Sequence, residues 1–537
     1  MDIRLKSNRW FAQEWVGVVI LASMYIIAKM PFLTYNGPIN PDESQMLTQA
    51  ITLKHDPVFW RSVDGTTSGP INSYLIWLLD QIGLSFSYVH LHWLSTTLIL
   101  LGVWITYRTL LLLVNARTAL VAIAITYSFF LFSNHKDFNH YNSELASVVL
   151  LAVASYILAR IRTLAEAPLY LYWTLGAVCF LVPLAKLQGG PVALLYLLYA
   201  GVELFSSSLT AARRRLALVV LAGGAVTMLS VLLTFLATHA LLHDSYVMYI
   251  QTNLVHYNAG NSLYMVMKLV FGSSYDYLLF LLFSGLLWAF FGLSRTTNQY
   301  RKLLRSRFWW FLWANLIVSF WVVARTGYVF EHYLFYTITP ITLLNGYILQ
   351  QLFFQRDTYS PFRVSYQTIA VILLIGQLAT YWLKLDRQNQ HFSPASVPFH
   401  ERIVTSLINY YAKPTDCLAV WGWNCRYYTT SGLRQATREN HSIRCMKTNS
   451  LGALHNLALV DWYRRQYVND IKRNRPSVFI DEVRANSLFN HPNQVAHETI
   501  PALQTFIEAN YQLVSYKEGI LVYVRNDRFM AKHTHSS

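Results

Sequence analysis

The most constraining feature of this chain is a series of long apolar runs separated by shorter polar segments. A run of about 20 apolar residues is long enough to cross the hydrocarbon core of a bilayer as one helix. Only 13% of the 537 residues are charged, about half the fraction usual in soluble domains. The chain is therefore predicted to be a polytopic α-helical membrane protein with about eleven transmembrane helices, at roughly 14–33, 88–107, 117–133, 145–161, 169–185, 189–205, 216–238, 277–294, 308–324, 333–354 and 364–383.

Basic residues indicate the orientation of these spans, because Lys and Arg are enriched in the cytoplasmic segments of membrane proteins. They cluster at the N-terminus and in every second segment between spans, for example at 213–215 and 295–307. We assign that side to the cytoplasm, which places the N-terminus inside and the C-terminus outside. The net charge of +16 is thereby explained by topology, and no nucleic-acid partner is predicted.

The outer side of the membrane then receives most of the polar sequence. We divide the chain into a transmembrane domain, residues 1–383, and an extracytoplasmic α/β domain, residues 384–537. The transmembrane domain contributes four outer loops, at 34–87, 133–144, 239–276 and 325–332.

The C-terminal domain combines strand and helix patterns. Its predicted elements are strands at Cys417–Trp423 and Ser477–Asp481, a helix at Leu454–Lys472, and a hairpin at Leu513–Val524. Such a domain could bind an acceptor, close over the membrane site, or serve only as a stabilising cap. Trp421 and Trp423 could stack on the apolar face of a sugar, or end a strand that packs against a helix.

Two adjacent acidic residues, Asp42 and Glu43, follow the first span. Ionised groups beside hydrocarbon are costly without a partner or a task, so a carboxylate pair at a membrane edge is a candidate functional site. We predict that Asp42 is the catalytic residue. The structural alternative is a helix start, with Asp42 as its N-cap and Glu43 in its first turn, and both interpretations can hold together.

Other polar residues gather at the same membrane edge. His140, Asn142 and Glu144 are candidates for substrate binding, with helix capping and solvation as the alternative, and Glu144 is predicted to begin the fourth span. Lys186 and Gln188 lie in the turn between the fifth and sixth spans. A Lys on the outer side opposes the orientation rule, so we expect Lys186 to pair with a local anion, unless it only extends towards the interface.

A second cationic group, Arg325 and His332, lies beside Tyr333 before the tenth span. Arg can hold a phosphate with two donors, and His can donate a proton or bind a metal, whereas anchoring at the interface is the alternative for both. A carboxylate pair and at least three cations thus lie at one membrane surface. Acid or base chemistry on a lipid-linked phosphate would need these residue types.

The four cysteines constrain the fold little. Cys179 lies within a span, whereas Cys417, Cys425 and Cys445 lie in the outer domain, where an oxidising space would allow one disulfide. Its pairing is left open, because connectivity does not follow from spacing. The cysteine spacing is not that of a zinc site, so no structural metal is predicted there.

The carboxylate pair after the first span, the long loop behind it, the multi-span body and the outer domain together resemble the GT-C superfamily of membrane glycosyltransferases. The likeness is greatest to the branch of protein O-mannosyltransferases and lipid A aminoarabinose transferases. The turn from Lys186 to Gln188 and the pair His332-Tyr333 are also similar to the bacterial members.

This resemblance implies an inverting hexosyl- or pentosyltransferase of the bacterial inner membrane. It would take a sugar from a polyprenyl-phosphate donor and transfer it to a lipid, glycan or protein acceptor. Asp42 would deprotonate the acceptor hydroxyl, and Glu43 would orient either Asp42 or the acceptor. Lys186 and Arg325 would stabilise the departing phosphate. Metal dependence varies in the superfamily, so a divalent ion held by Asp42, Glu43 or His332 is left open.

The alternative function is transport, for instance by a flippase for lipid-linked sugars. A transporter would need intramembrane charges along a path, or internal repeats with broken helices. The sequence has no convincing repeat, and its unusual charges collect at one face.

Overall fold

The structure is a computed structural model in which packed helices form the N-terminal two thirds of the chain. It describes residues 2–206, 209–256, 262–272, 275–293, 304–326, 329–353, 375, 399–446, 456–486, 489 and 491–533. The helices of the membrane part are α1 (Asp2–Leu33), α2 (Pro41–His55), α3 (Pro70–Gln81), α4 (Tyr88–Leu113), α5 (Ala116–Phe132), α6 (Glu144–Thr163), α7 (Leu169–Ala185), α8 (Gly190–Ser206), α9 (Ala211–Thr238), α10 (Leu242–Ser245), α11 (Thr252–His256), α12 (Ser262–Gly272), α13 (Tyr275–Leu293), α14 (Arg307–Ala324) and α15 (Phe335–Phe353).

Five helical segments of the described chain are long and apolar enough to cross a membrane. They are Tyr88–Leu113, Glu144–Thr163, Leu187–Ser206, Ala211–Thr238 and Arg307–Ala324. Shorter apolar helices occupy four further predicted runs, at Gly17–Leu33, Ala116–Phe132, Leu169–Ala185 and Tyr275–Ala289. The helical membrane body is thus confirmed, whereas the count of eleven spans stays a prediction. The run predicted at 364–383 lies outside the described residues, apart from residue 375.

Helices α7 and α9 pack closely because glycine lies on both sides of their contact. A Cβ added at Gly176 would lie 2.0 Å from the Leu221 carbonyl oxygen, and one added at Gly224 would lie 2.0 Å from the Trp173 carbonyl oxygen. Small residues at such positions let helix backbones approach each other, which is how helices associate in lipid.

This contact predicts that an alanine substitution is destabilising at one of two neighbouring glycines and has little effect at the other. We expect Gly224→Ala to lower the free energy of unfolding by about 1–3 kcal/mol, since the new methyl group must push two backbones apart. Gly223→Ala is the matched control, because nothing lies within 4 Å of its added Cβ. Melting temperatures of the two purified variants provide the test, and equal values would mean that the α7–α9 contact is looser than described.

The C-terminal domain is built on a five-stranded sheet in the order β2-β1-β3-β5-β4. Its strands are β1 (Cys417–Trp421), β2 (Arg434–Gln435), β3 (Val478–Asp481), β4 (Tyr511–Lys517) and β5 (Ile520–Arg525). Strand β1 pairs in parallel with β2 and β3, whereas β5 pairs antiparallel with β3 and β4. Its helices are α16 (Phe399–Tyr411), α17 (Arg426–Ser431), α18 (Leu457–Asn474), α19 (Pro492–Val495), α20 (Pro501–Asn510) and α21 (Asn526–His533).

Helices cover both faces of this sheet, with α18 and α20 on one side and α16 and α17 on the other. Every residue of β1 and β3 is therefore buried, which explains their continuous apolar sequence. The two predicted strands, the helix that became α18 and the hairpin are confirmed. The predicted boundary at residue 384 lies outside the described residues and stays a prediction.

The C-terminal domain packs directly against α2, the helix that begins with the acidic pair. The Asn440 amide donates to the Gln45 carbonyl at 2.9 Å, and the Thr48 hydroxyl donates to the Cys425 carbonyl at 3.3 Å. The Tyr88 hydroxyl of α4 joins Ser44 and Thr429, each at 2.7 Å. Helix α2 is therefore held between the membrane helices and the C-terminal domain.

The four cysteines are all buried free thiols. The disulfide that the sequence allowed among Cys417, Cys425 and Cys445 is therefore not formed. Cys417 lies in β1, where its thiol donates to the Asn474 carbonyl at 3.4 Å, and Cys425 contacts the Asn440 carbonyl at 3.5 Å.

Candidate active site

The acidic pair lies in the first turn of α2, whose N-cap is Asn40 rather than Asp42. The Asn40 side chain accepts from the Asp42 N–H at 3.0 Å, and Pro41 occupies the first helical position. Glu43 completes a capping box by accepting from the Asn40 N–H at 3.4 Å. The interpretation of Asp42 as the cap is therefore wrong, and its carboxylate is not needed to start the helix.

Glu43 is fully buried and holds three segments together. Its carboxylate accepts from the Ile39 N–H at 2.7 Å and the Tyr141 N–H at 3.0 Å, and lies 3.2 Å from His92 Nε2 of α4. Desolvation by itself would raise the pKa of Glu43, but His92 and these donors outweigh it and lower the pKa. Glu43 thus anchors the start of α2 as an ionised group.

Asp42, in contrast, is half-buried and lines a cavity. Desolvation raises the pKa of Asp42, against the opposing effect of His332, His140 and Lys186. A carboxylate in such surroundings is a better proton acceptor than one in water, because its charged form is less well solvated.

Lys186 lies across the cavity, just after the end of α7. Its Nζ is 3.0 Å from Glu144 Oε1 and donates to Ser143 Oγ at 2.6 Å and Thr67 Oγ1 at 3.1 Å. The expected local anion is thus Glu144, which begins α6 as predicted. Both side chains are almost completely buried, so the cation is fixed in position.

His332 is the second buried cation of this site. Its Nδ1 is 3.1 Å from Asp137 Oδ2, its Nε2 is 3.9 Å from Glu144 Oε2, and its ring stacks on Phe330. Desolvation lowers the pKa of His332, but the two carboxylates outweigh it and raise the pKa to about 9. The same ion pair holds the pKa of Asp137 well below its usual range, against the effect of desolvation. His332 is therefore protonated at neutral pH.

These groups line a cavity of about 550 Å³ between the membrane helices and the C-terminal domain. Its wall combines the start of α2, loops of the membrane part and one edge of the C-terminal domain. The lining residues are Asn40, Pro41, Asp42, Gln45, Met46, Gly65, Thr66, Thr67, Ser68, His135, Lys136, Asp137, Ser143, Lys186, Val329, Phe330, Glu331, His332, Tyr333, Trp423, His441, Ile443 and Arg444.

Five of the predicted substrate-binding residues do not line this cavity, namely Gln188, Arg325, His140, Asn142 and Glu144. Gln188 donates to the Val322 carbonyl at 2.8 Å, and Arg325 is exposed at the end of α14. His140 and Asn142 are buried behind the wall, where His140 Nδ1 contacts the Lys136 carbonyl at 2.9 Å and Asn142 contacts the His140 carbonyl at 3.4 Å. Side chains that are close together in the sequence of a turn thus point in different directions, and only some of them reach the cavity.

The two tryptophans of the β1 end have different surroundings. Trp421 is in the core, with its ring against Tyr467 and its indole N–H donating to the Val495 carbonyl at 2.8 Å. Trp423 lines the cavity. Packing therefore explains Trp421, whereas the sugar-stacking interpretation stays open for Trp423.

Three groups of side chains within the described residues have the donor types and spacing for a metal ion. One is Asp137, His140 and His332 in the site, a second is His135, Asp137 and Glu331 beside it, and the third is Asp481, His497 and Glu498 in the C-terminal domain. Of the predicted ligands, His332 belongs to such a group, whereas Asp42 and Glu43 belong to none of the three.

The sequence analysis missed several residues of the cavity. Lys136 lies next to Asp137, and among the described residues its Nζ has no hydrogen-bond or ion-pair partner. Its position as a basic residue in the polar loop 133–144 is the sequence signal that could have identified it. His441 and Arg444 are about 400 residues away from Asp42 along the chain, and no local pattern indicates that they join it.

Comparison with known proteins agrees with this architecture. No protein-family model and no curated protein sequence matches the chain. Among solved structures, ArnT from Cupriavidus metallidurans bound to undecaprenyl phosphate aligns with 95% of this chain and 98% of its own, at 13% identity and a TM-score of 0.56. ArnT in the apo state gives 14% identity and a TM-score of 0.55 over the same shares.

The fold of this chain is thus similar to the fold of ArnT, which agrees with the resemblance found in the sequence as far as the fold is concerned. The particular structures that carry this likeness are those of ArnT. At 13–14% identity the likeness concerns the fold alone. The oligosaccharyltransferase of Archaeoglobus fulgidus aligns with 96% of this chain and 75% of its own, at 12% identity and a TM-score of 0.38, which is too low to support an argument.

Proposed function

We propose that the protein is an inverting glycosyltransferase that moves a sugar from a polyprenyl-phosphate-linked donor to an acceptor hydroxyl at the outer face of the membrane. The observation that carries this proposal is the meeting of Asp42 with the fixed cations Lys186 and His332 in one cavity. A base and an anion-binding group are the two functions that such a reaction requires.

In the proposed reaction, Asp42 accepts the proton of the acceptor hydroxyl while the acceptor oxygen attacks the anomeric carbon. The new carbon–oxygen bond forms as the bond from that carbon to the phosphate oxygen breaks, and the electron pair leaves with polyprenyl phosphate. A single displacement inverts the anomeric configuration. A positioned base contributes about 10² to 10⁴ in rate.

The departing phosphate would meet Lys186 and His332, which stabilise negative charge without first having to reorganise. Both are held by buried carboxylates, so their positions do not depend on the donor. Lys136 lines the same cavity, and we propose it as a further phosphate contact in place of Arg325.

A divalent ion would fit best at Asp137, His140 and His332. Asp137 Oδ1 and His140 Nε2 are buried and have no hydrogen-bond partner among the described residues, and both are atom types that coordinate divalent ions. An ion there would act as a Lewis acid on a phosphate oxygen. The protonated His332 would have to release its proton to coordinate, because histidine binds metals as the neutral ring.

The outer-face location and the bacterial inner membrane belong to this proposal as well, and the topology behind them can be tested. We expect a reporter that is active only outside the cytoplasm to be active when fused after residue 390 and silent when fused at residue 212, since Arg213–Arg215 marks the inner side. The reverse pattern would place Asp42 in the cytoplasm and contradict the proposed donor side.

A flippase for lipid-linked sugars is less well supported, because the charged groups meet in one outer cavity instead of following a path through the helices. The two functions differ in turnover. Purified protein in detergent should release polyprenyl phosphate from the donor if it is a transferase, whereas a flippase has no membrane to act across and should release none.

A further inference from the structure

The part of the cavity wall formed by the C-terminal domain differs in chemistry from the part formed by the membrane loops. We name the set Trp423, His441, Ile443 and Arg444 the outer wall; all four line the cavity. The rings of Trp423 and His441 are 5.7 Å apart. The outer wall is thus aromatic and apolar with a few polar atoms, the usual composition of a small-molecule site.

The outer wall carries no uncompensated charge. Arg444 lies 3.3 Å from Asp64 and donates to the Tyr463 hydroxyl at 2.7 Å. Desolvation and the nearby Arg444 lower the pKa of His441 to about 3, so its ring is neutral. Desolvation also raises the pKa of Glu439, behind the wall, well above its usual range. A wall whose single cation, Arg444, is already paired with Asp64 suits a hydroxyl-bearing molecule better than a phosphate.

The indole N–H of Trp423 is buried and lacks a hydrogen-bond acceptor among the described residues. A buried N–H without an acceptor is unfavourable, so a ligand hydroxyl that accepts from it would be favoured. The indole ring can at the same time pack against the apolar face of a sugar ring.

The wall also adjoins the base. The Asn440 side chain, next to His441, donates to the Gln45 carbonyl about one turn after Asp42. The Cys425 carbonyl, two residues after Trp423, accepts from the Thr48 hydroxyl. In a single displacement, nucleophile and leaving group lie on opposite sides of the anomeric carbon. The leaving phosphate belongs with Lys186 and His332, so the acceptor belongs beside Asp42 and the outer wall.

We propose that the outer wall is the acceptor subsite and that the acceptor is a carbohydrate, whose ring packs on Trp423 and whose hydroxyl accepts from the indole N–H. This inference rests on the proposed glycosyl transfer. It gives the C-terminal domain a direct part in substrate recognition.

The test uses purified full-length protein, a polyprenyl-phosphate sugar donor, and envelope material from a strain that lacks the protein, separated into a glycan fraction and a peptide fraction. We expect transfer to the glycan fraction. In Trp423→Leu, the KM for that fraction should rise about tenfold or more while the donor KM is unchanged. Trp423→Phe keeps an aromatic ring and loses only the N–H, so its increase should be smaller.

Trp93→Leu serves as the matched control, because Trp93 is an exposed residue of α4 outside the cavity, and its kinetics should equal those of the parental protein. Melting temperatures identify variants that fail to fold. If Trp423→Leu is one of them, His441→Gln is a second probe of the outer wall and should also raise the acceptor KM. Transfer to the peptide fraction, an unchanged acceptor KM, or a rise in donor KM alone would overturn the acceptor subsite. Absence of polyprenyl phosphate release by the parental protein would instead contradict the proposed function.

Discussion

Replacing Asp42 with Asn is expected to lower the rate of sugar transfer by a factor of about 10² or more and to leave the melting temperature unchanged. The amide keeps the size of the carboxylate but cannot accept a proton from the acceptor. Helix α2 does not depend on the change, because its cap is Asn40 and its capping box is completed by Glu43. The variant therefore separates chemistry from folding.

Glu43→Gln provides the contrast to Asp42→Asn. The Glu43 carboxylate accepts from three backbone N–H groups and lies beside His92 in a fully buried position. We expect its replacement to lower the melting temperature, since glutamine has one accepting oxygen and would place an NH2 donor where the second carboxylate oxygen accepts. Transfer should fall less than in Asp42→Asn. A stable Glu43→Gln protein with the larger loss of activity would exchange the roles of the two residues.

The second large effect is expected at Lys186. Lys186→Ala should raise the donor KM at least about tenfold, because it removes a charge-assisted contact to the phosphate. It should also destabilise the protein by about 3–5 kcal/mol, because Glu144 is left buried without its cation. Donor kinetics and thermal melting measure the two effects separately.

A double variant distinguishes these two contributions. Lys186→Met combined with Glu144→Gln removes both charges, so stability should largely return while the donor KM stays high. Arg325→Ala is the matched control, since its side chain is exposed and does not line the cavity. Recovery of the donor KM in the double variant, or an Arg325→Ala effect as large as that of Lys186→Ala, would contradict the assignment of the phosphate side.

The sequence was sufficient for the elements whose pattern is local. The apolar runs predicted the membrane helices, and the buried strands β1 and β3 were visible as short apolar runs between turn residues. The spacing of Asn40 and Glu43 is itself a capping-box signature, and it would have identified the cap and the buried role of Glu43. The sequence analysis considered Asp42 of the acidic pair as the cap and did not consider Asn40.

The sequence was not sufficient where distant segments meet. The outer wall joins Asp42 across about 400 residues, through hydrogen bonds from 425 and 440 to α2 that no local pattern encodes. Gln188 was predicted because it shares a turn with Lys186, and Arg325 because a guanidinium in the segment before His332 can hold a phosphate with two donors. At the end of a helix, successive side chains point in different directions. Residues that are close in sequence to Lys186 or His332 therefore need not line the same cavity.

The most direct test of the central claim is the reaction of purified protein with a polyprenyl-phosphate sugar donor and envelope acceptor from a deletion strain. Released polyprenyl phosphate and the anomeric configuration of the product would be measured together. The proposed mechanism predicts one polyprenyl phosphate for each sugar transferred, with inverted configuration, and loss of both signals in Asp42→Asn. A product with retained configuration, or full activity in a stably folded Asp42→Asn protein, would contradict it.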